Sequence, residues 1–139
     1  MENSGKFYYN FTVDPYLLDD YGHVNNSRYL DLYEKARWDI LDKSGYGQET
    51  VKRSGKGPVI LEVNVRFSRE LLPGQKIRIE TSSRRKNEKI FYFDQVMINE
   101  KGEEASRAVF TCALFDLVER KMVRPDEGWQ RAFGFGNLP

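Results

Sequence analysis

Phe7, Tyr9, Phe11 and Val13 alternate with Tyr8, Asn10 and Thr12, a period of two that predicts a strand with one apolar face. Asp14-Pro15 ends it. The period then changes. Tyr29, Leu32, Tyr33, Ala36 and Ile40 share one sector of a helical wheel, predicting a helix from about Ser27 to Lys43 that Gly45 stops. Leu30 and Leu41 widen the sector, and Trp38 lies opposite. A helix this apolar should be enclosed by other structure. Arg37 falls inside the sector, so it needs a buried partner or an edge to reach water. Glu34, one turn away, can pair with it.

The segment from Ser44 to Pro58 is looser, with four glycines and room for one helical turn around Thr50. Strand patterns follow in series. Val59, Leu61, Val63, Val65 and Phe67 alternate with Ile60, Glu62, Asn64 and Arg66. Leu72-Pro73-Gly74-Gln75 reads as a turn. Lys76 to Ser83 and Lys89 to Ile98 read as the next two strands, and Asn99-Glu100-Lys101-Gly102 as a hairpin turn. Ala105 to Val118 is a long final strand, with a short extension ending near Pro125. The last residues, including Gly134-Phe135-Gly136, read as a loose tail. The order of strand, long helix and four or five further strands predicts an α+β fold. One long central helix would be wrapped by a curved, mostly antiparallel sheet, in a single domain over residues 1–139. Both strand faces carry aromatics, so the outer face should be covered by another subunit.

Composition narrows the classes without choosing a function. The chain has 139 residues, 40% hydrophobic and 31% charged, which fits a folded globular protein. A net charge of +1 gives no global field for nucleic acid or an anionic membrane. No apolar run is long enough to span a bilayer. The single cysteine, Cys112, excludes an internal disulfide and, with the N-terminal Met1-Glu2-Asn3-Ser4 run, favours the cytoplasm. One His and one Cys do not make a Cys/His zinc site, so no metal is expected. Nucleotide-binding glycine loops and a Gly-x-Ser-x-Gly elbow are missing, and no cofactor is expected.

The densest chemistry lies in Asp19-Asp20-Tyr21-Gly22-His23-Val24-Asn25-Asn26-Ser27-Arg28-Tyr29-Leu30. It sets a carboxylate, a glycine, the only histidine and two asparagines on the approach to the helix. A helix start offers free N–H groups and the positive end of the dipole. A carboxylate just upstream can face whatever those groups hold, an arrangement suited to hydrolysing a carbonyl compound. Asn25 or Asn26 can cap the first turn. Gly22 reads as a backbone requirement. His23 reads slightly more as a helix-entry hydrogen-bonding residue than as a general acid.

Asp19-x-x-Gly22-His23-Val24-Asn25-Asn26-x-x-Tyr29-Leu30, continued by Tyr33-Glu34-Lys35-Ala36-Arg37, resembles the 4-hydroxybenzoyl-CoA thioesterase family of hotdog-fold proteins. Val65-Arg66-Phe67 followed by Leu71-Leu72-Pro73-Gly74 is similar to that family's second strand and turn. The resemblance implies the hotdog fold and an acyl-CoA thioesterase, acting as a homodimer or homotetramer with active sites between subunits. It implies that Asp19, placed before Gly22, is the catalytic base or nucleophile. It implies that the Asn26 N–H polarises the thioester carbonyl, with Gly22, His23 and Asn25 in support. Arg84, Arg85 and Lys86 form the densest basic run and are candidates for the CoA phosphates, weighed evenly against a solvated hairpin. The acyl-acyl carrier protein thioesterases share the His-Val-Asn-Asn run but carry an asparagine where this chain has Tyr21. A non-catalytic acyl-binding module and, third, a histidine-centred dehydratase are the remaining alternatives.

Overall fold

A computed structural model describes residues 5–17 and 24–135. The elements are β1 (Phe7–Thr12), α1 (Asn26–Lys43), α2 (Gln48–Ser54), β2 (Lys56–Phe67), β3 (Lys76–Arg85), β4 (Ile90–Ile98), β5 (Glu104–Asp116), β6 (Lys121–Val123) and α3 (Glu127–Ala132). The strands form one six-stranded sheet in the order β1-β3-β4-β5-β2, with β6 on β5. Every pairing is antiparallel. The sheet curves about α1, giving the hotdog architecture of an α+β fold.

The helix α1 begins one residue before the expected position. It buries Tyr29, Leu32, Tyr33, Ala36, Arg37, Ile40 and Leu41 against the sheet. Enclosure is one-sided: Arg28, Leu30, Asp31, Glu34 and Lys35 stay exposed. The looser segment after it is more ordered than its glycines suggest. The Thr50 hydroxyl donates to Gly45 O (2.8 Å) and α2 forms over two turns. Gly55 then adopts φ 71°, a left-handed cap that lets the chain enter β2 at Lys56 without a linker.

Tyr33, Phe93, Phe110, Ile79 and Met97 are fully buried between helix and sheet. A polar thread crosses this core. The Arg37 Nη1 donates to Gln95 Oε1 (2.9 Å), and Gln95 Nε2 donates to Tyr33 O (3.2 Å) and Thr81 Oγ1 (3.1 Å). The Tyr33 hydroxyl donates to Ser106 Oγ (2.7 Å). Arg37 therefore finds its buried partner in Gln95. The expected pairing with Glu34 does not form: no Glu34–Arg37 ion pair exists, and Glu34 is exposed.

The C-terminal segment corrects the reading of a loose tail. Asp126 caps α3 by accepting from Trp129 N–H (2.9 Å). Phe133 stacks on Phe91 (4.4 Å between centroids) and on Trp129 (5.5 Å), and Phe135 is buried with them. The Ser83 hydroxyl donates to Phe133 O (2.6 Å). Aromatic spacing too short to show a period hid this plug from the sequence pattern. Phe133→Ala should cost about 3–5 kcal/mol, the range for deleting a fully buried phenylalanine. Chemical denaturation checks this, and a loss under about 1 kcal/mol would return the segment to a peripheral role.

One sheet edge is left open. Among the described residues β2 pairs only with β5, through a register shift between Ile60 and Glu62. Ile60, Leu61, Val63 and Phe67 on it are 39–47% exposed. Among the described residues no helix is long and apolar enough to cross a membrane.

Candidate active site

Asn25 organises the start of α1. Its backbone is extended (φ −68°, ψ 149°), and its Oδ1 accepts the Ser27 N–H (3.0 Å) and the Ser27 hydroxyl (2.9 Å). Its carbonyl accepts the Arg28 N–H (2.9 Å). Two of the orphan donors of the first turn are thus used. The Asn26 N–H, just before them in sequence, has no acceptor among the described residues.

That N–H sits beside a groove of about 210 Å³. Val24, Asn26 and Tyr29 line one side, and Phe67, Ser68, Arg69 and Glu70 line the other. The Val24 N–H donates to Leu71 O (3.3 Å), tying the helix approach to the chain leaving β2. The Tyr29 ring meets Phe67 edge-on, 4.9 Å between centroids. Its hydroxyl donates to Arg69 O (3.3 Å). Burial pushes the Tyr29 pKa up, so the hydroxyl stays neutral and is no base at pH 7. Arg69 Nη2 lies 3.3 Å from Glu103 Oε2, both partly exposed. An open N–H at a helix start, beside a groove with one apolar wall, can hold a carbonyl oxygen that becomes more negative as reaction proceeds.

The candidates divide by position. Asn26 lines the groove, and Asn25 caps the helix beside it. Asp19, Gly22 and His23 lie outside the described residues. Arg84, Arg85 and Lys86 are elsewhere. Arg85 pairs in register with Phe91, Phe91 with Cys112, and Cys112 with Ile60. The groove belongs to the row through Phe67, Ser106 and Met97. The two rows are roughly 23 Å apart along β2 at ~3.3 Å per residue. Arg84 makes a bidentate contact with Asp94 (2.6 and 2.8 Å) that raises its pKa, and stacks over Tyr92. Arg85 donates to Gln130 Oε1 (3.2 Å) and lies over the Phe135 ring. The Lys86 backbone N–H closes the turn on Ile90 O (2.9 Å).

Sequence reasoning missed the opposite wall. Phe67 read as strand core, and residues 68–70 as connection. Arg69 was the available signal, a cation placed immediately after an apolar strand. Tyr29 read as core only; its hydroxyl gives it a second role.

Residues 13–133 match the thioesterase-like superfamily. Long-chain acyl-CoA thioesterase FadM of Escherichia coli (strain K12) is 32% identical over 110 residues, covering 78% of this chain and 83% of that protein. Acyl-acyl carrier protein thioesterase ATL3, chloroplastic, of Arabidopsis thaliana is 28% identical over 92 residues, covering 66% of this chain and 48% of that protein. This chain thus spans about half of the plant relative's length. Among solved structures, a 1,4-dihydroxy-2-naphthoyl-CoA thioesterase from Synechocystis has a TM-score of 0.86 at 19% identity, covering 97% of this chain and 100% of that one. At that identity the likeness speaks for the fold alone.

Proposed function

Because this chain belongs to the thioesterase-like superfamily, we propose that it hydrolyses an acyl-CoA thioester to the free acid and CoA. The observation that carries this reading is the open Asn26 N–H at the groove. The thioester oxygen would accept from that N–H, and the helix dipole would stabilise the charge developing there. Asp19 would either take a proton from the attacking water or attack the carbonyl carbon itself. The C–S bond then breaks, and CoA leaves as the thiolate; where Asp19 is the nucleophile, water next cleaves the acyl–Asp19 anhydride to release the acid and restore the carboxylate. The role of Asp19 rests on the resemblance to the 4-hydroxybenzoyl-CoA thioesterases, which its spacing before Gly22 supports. Thiol release from a panel of acyl-CoAs tests the reading. Binding without release would make the protein an acyl-binding module. A second reading, acyl-carrier-protein thioesterase, is favoured by the plant relative; faster turnover of carrier-bound than CoA-bound chains would select it.

The exposed edge of β2 supports a homo-oligomer. A long strand with one unpaired edge and exposed apolar side chains is a template for pairing with another copy. Sedimentation should show a dimer or tetramer at micromolar concentration, and Val63→Lys should shift it towards monomer. A monomeric wild type would remove subunit-interface sites from the proposal.

CoA phosphates need cations. Arg69 lines the groove itself. Arg84, Arg85 and Lys86 lie at the other strand end, so they would reach CoA at this groove from a second copy. Neutralising all three should raise KM for acyl-CoA several-fold, since exposed charge contacts contribute about 0.2–1 kcal/mol each. A truncated acyl thioester should be hydrolysed as before. Equal losses on both substrates would instead signal a damaged sheet, and no loss would leave these residues as surface charge.

A further inference from the structure

Arg37 is 9% exposed and has no carboxylate within ion-pair distance among the described residues; the exposed Glu34 attracts it through space without bonding to it. Its guanidinium packs 4.0 Å from the centre of the Phe110 ring and uses Nη1 on Gln95. A guanidinium carries five donors, so most of its capacity is unused. Buried charges are ordinarily paired, and this one faces a cavity instead. The cavity holds about 60 Å³ and is walled by Leu41, Pro58, Ile60, Phe93 and Cys112, with Trp38 and the exposed Glu34 at its rim. Burial pushes the Cys112 thiol up to about 12, so it adds no negative charge. A water's share of liquid is ~30 Å³, which sets the scale of the space at one small polar group.

The cavity and the groove lie at opposite ends of the same helix–strand pair. Tyr29 of α1 meets Phe67 of β2 at the groove, and Leu41 of α1 and Ile60 of β2 flank the cavity. Helix and strand therefore run past each other from one site to the other. Asn26 and Arg37 are roughly 16 Å apart at ~1.5 Å rise per residue, and helical side chains lean back towards the N-terminus. An extended chain advances roughly 3.5 Å per three bonds, so about ten to fourteen bonds join the two.

We propose that the Arg37 cavity receives a carboxylate at the far end of the acyl chain, making this protein selective for dicarboxylic acyl thioesters of about that length. The cation would form a charge-assisted hydrogen bond with the terminal group, while the apolar walls hold the last methylenes. The proposal deepens the hydrolytic reading and rests on it.

Turnover of dodecanoyl-CoA, dodecanedioyl-CoA and the ten- and fourteen-carbon diacid analogues by the full-length wild type tests this. The terminal carboxylate should raise kcat/KM roughly tenfold or more, as expected of a charge-assisted hydrogen bond. Arg37→Met should bring the ratio of the two twelve-carbon substrates towards one, and Arg37→Lys should restore part of it. Calorimetric titration with free dodecanedioic and dodecanoic acids separates this proposal from the one beneath it. If no thioester is hydrolysed but the diacid binds in an Arg37-dependent way, the cavity assignment stands and the hydrolytic reading fails. If thioesters are hydrolysed with no preference for the carboxylated chain, and the diacid binds no tighter than the monoacid, the assignment is overturned. The wild-type comparison decides the matter even if both variants fail to fold.

Discussion

Asp19→Asn protein will fold, will bind acyl-CoA, and will hydrolyse it roughly 10²–10⁴ times more slowly than wild type, the range associated with loss of a positioned general base. The substitution keeps shape and hydrogen-bonding reach but removes the negative charge. An amide can neither accept the water proton at neutral pH nor attack a thioester carbon. If Asp19 is the nucleophile, the loss should sit at the upper end, because the covalent route disappears. His23→Ala should cost less, since His23 is assigned to supporting the helix approach. Single-turnover thiol release, with acyl-CoA binding measured separately, distinguishes a catalytic defect from a binding defect. Near-normal turnover in folded Asp19→Asn protein would place the catalyst elsewhere. A larger loss in His23→Ala than in Asp19→Asn would transfer the chemistry to the histidine.

How far the chain could be read depended on the length of each pattern. The α1 stripe repeats over five turns, and its bounds were recovered to within a residue. The strands β3, β4 and β5 were legible for the same reason, with turns marked by Pro73-Gly74 and Asn99. Short elements were not. The six-residue α3 carries only Trp129 and Ala132 on its buried face, too few to declare a period. Its neighbour Phe133 acts through stacking on Phe91, a contact across a long sequence separation. Gln95 was hidden by its type: polar residues at alternating strand positions usually mark the solvent face, yet Gln95 is wholly buried because Arg37 needs an acceptor there. The conflict around Arg37 was visible in the sequence, but the answer lay on another element. The site was half legible in a similar way. Asn25 and Asn26 follow from capping rules, whereas Phe67 and Arg69 join them only through the fold.

Asn26→Pro gives the most selective test of the carbonyl-binding site. Asn26 is the first residue of α1, the position where proline is best tolerated because the N–H has no helical acceptor to lose. Asn25 already has the extended backbone that precedes proline comfortably, with ψ 149°. Its side chain still caps Ser27, and its carbonyl still accepts from Arg28. Stability should therefore change by less than about 1 kcal/mol, readable as a near-constant denaturation midpoint. Turnover should fall roughly 10²–10³-fold, the cost of removing one oxyanion donor. No adjacent donor can substitute, because the Ser27 and Arg28 N–H groups already bond to Asn25. Asn26→Ala is the control. It deletes the side-chain amide and keeps the N–H, so it should stay within a few-fold of wild type. Equal damage from alanine and proline would assign the donor to the Asn26 side chain. Near-normal turnover in the proline variant, with the helix intact, would mean the thioester oxygen is held somewhere other than this helix start.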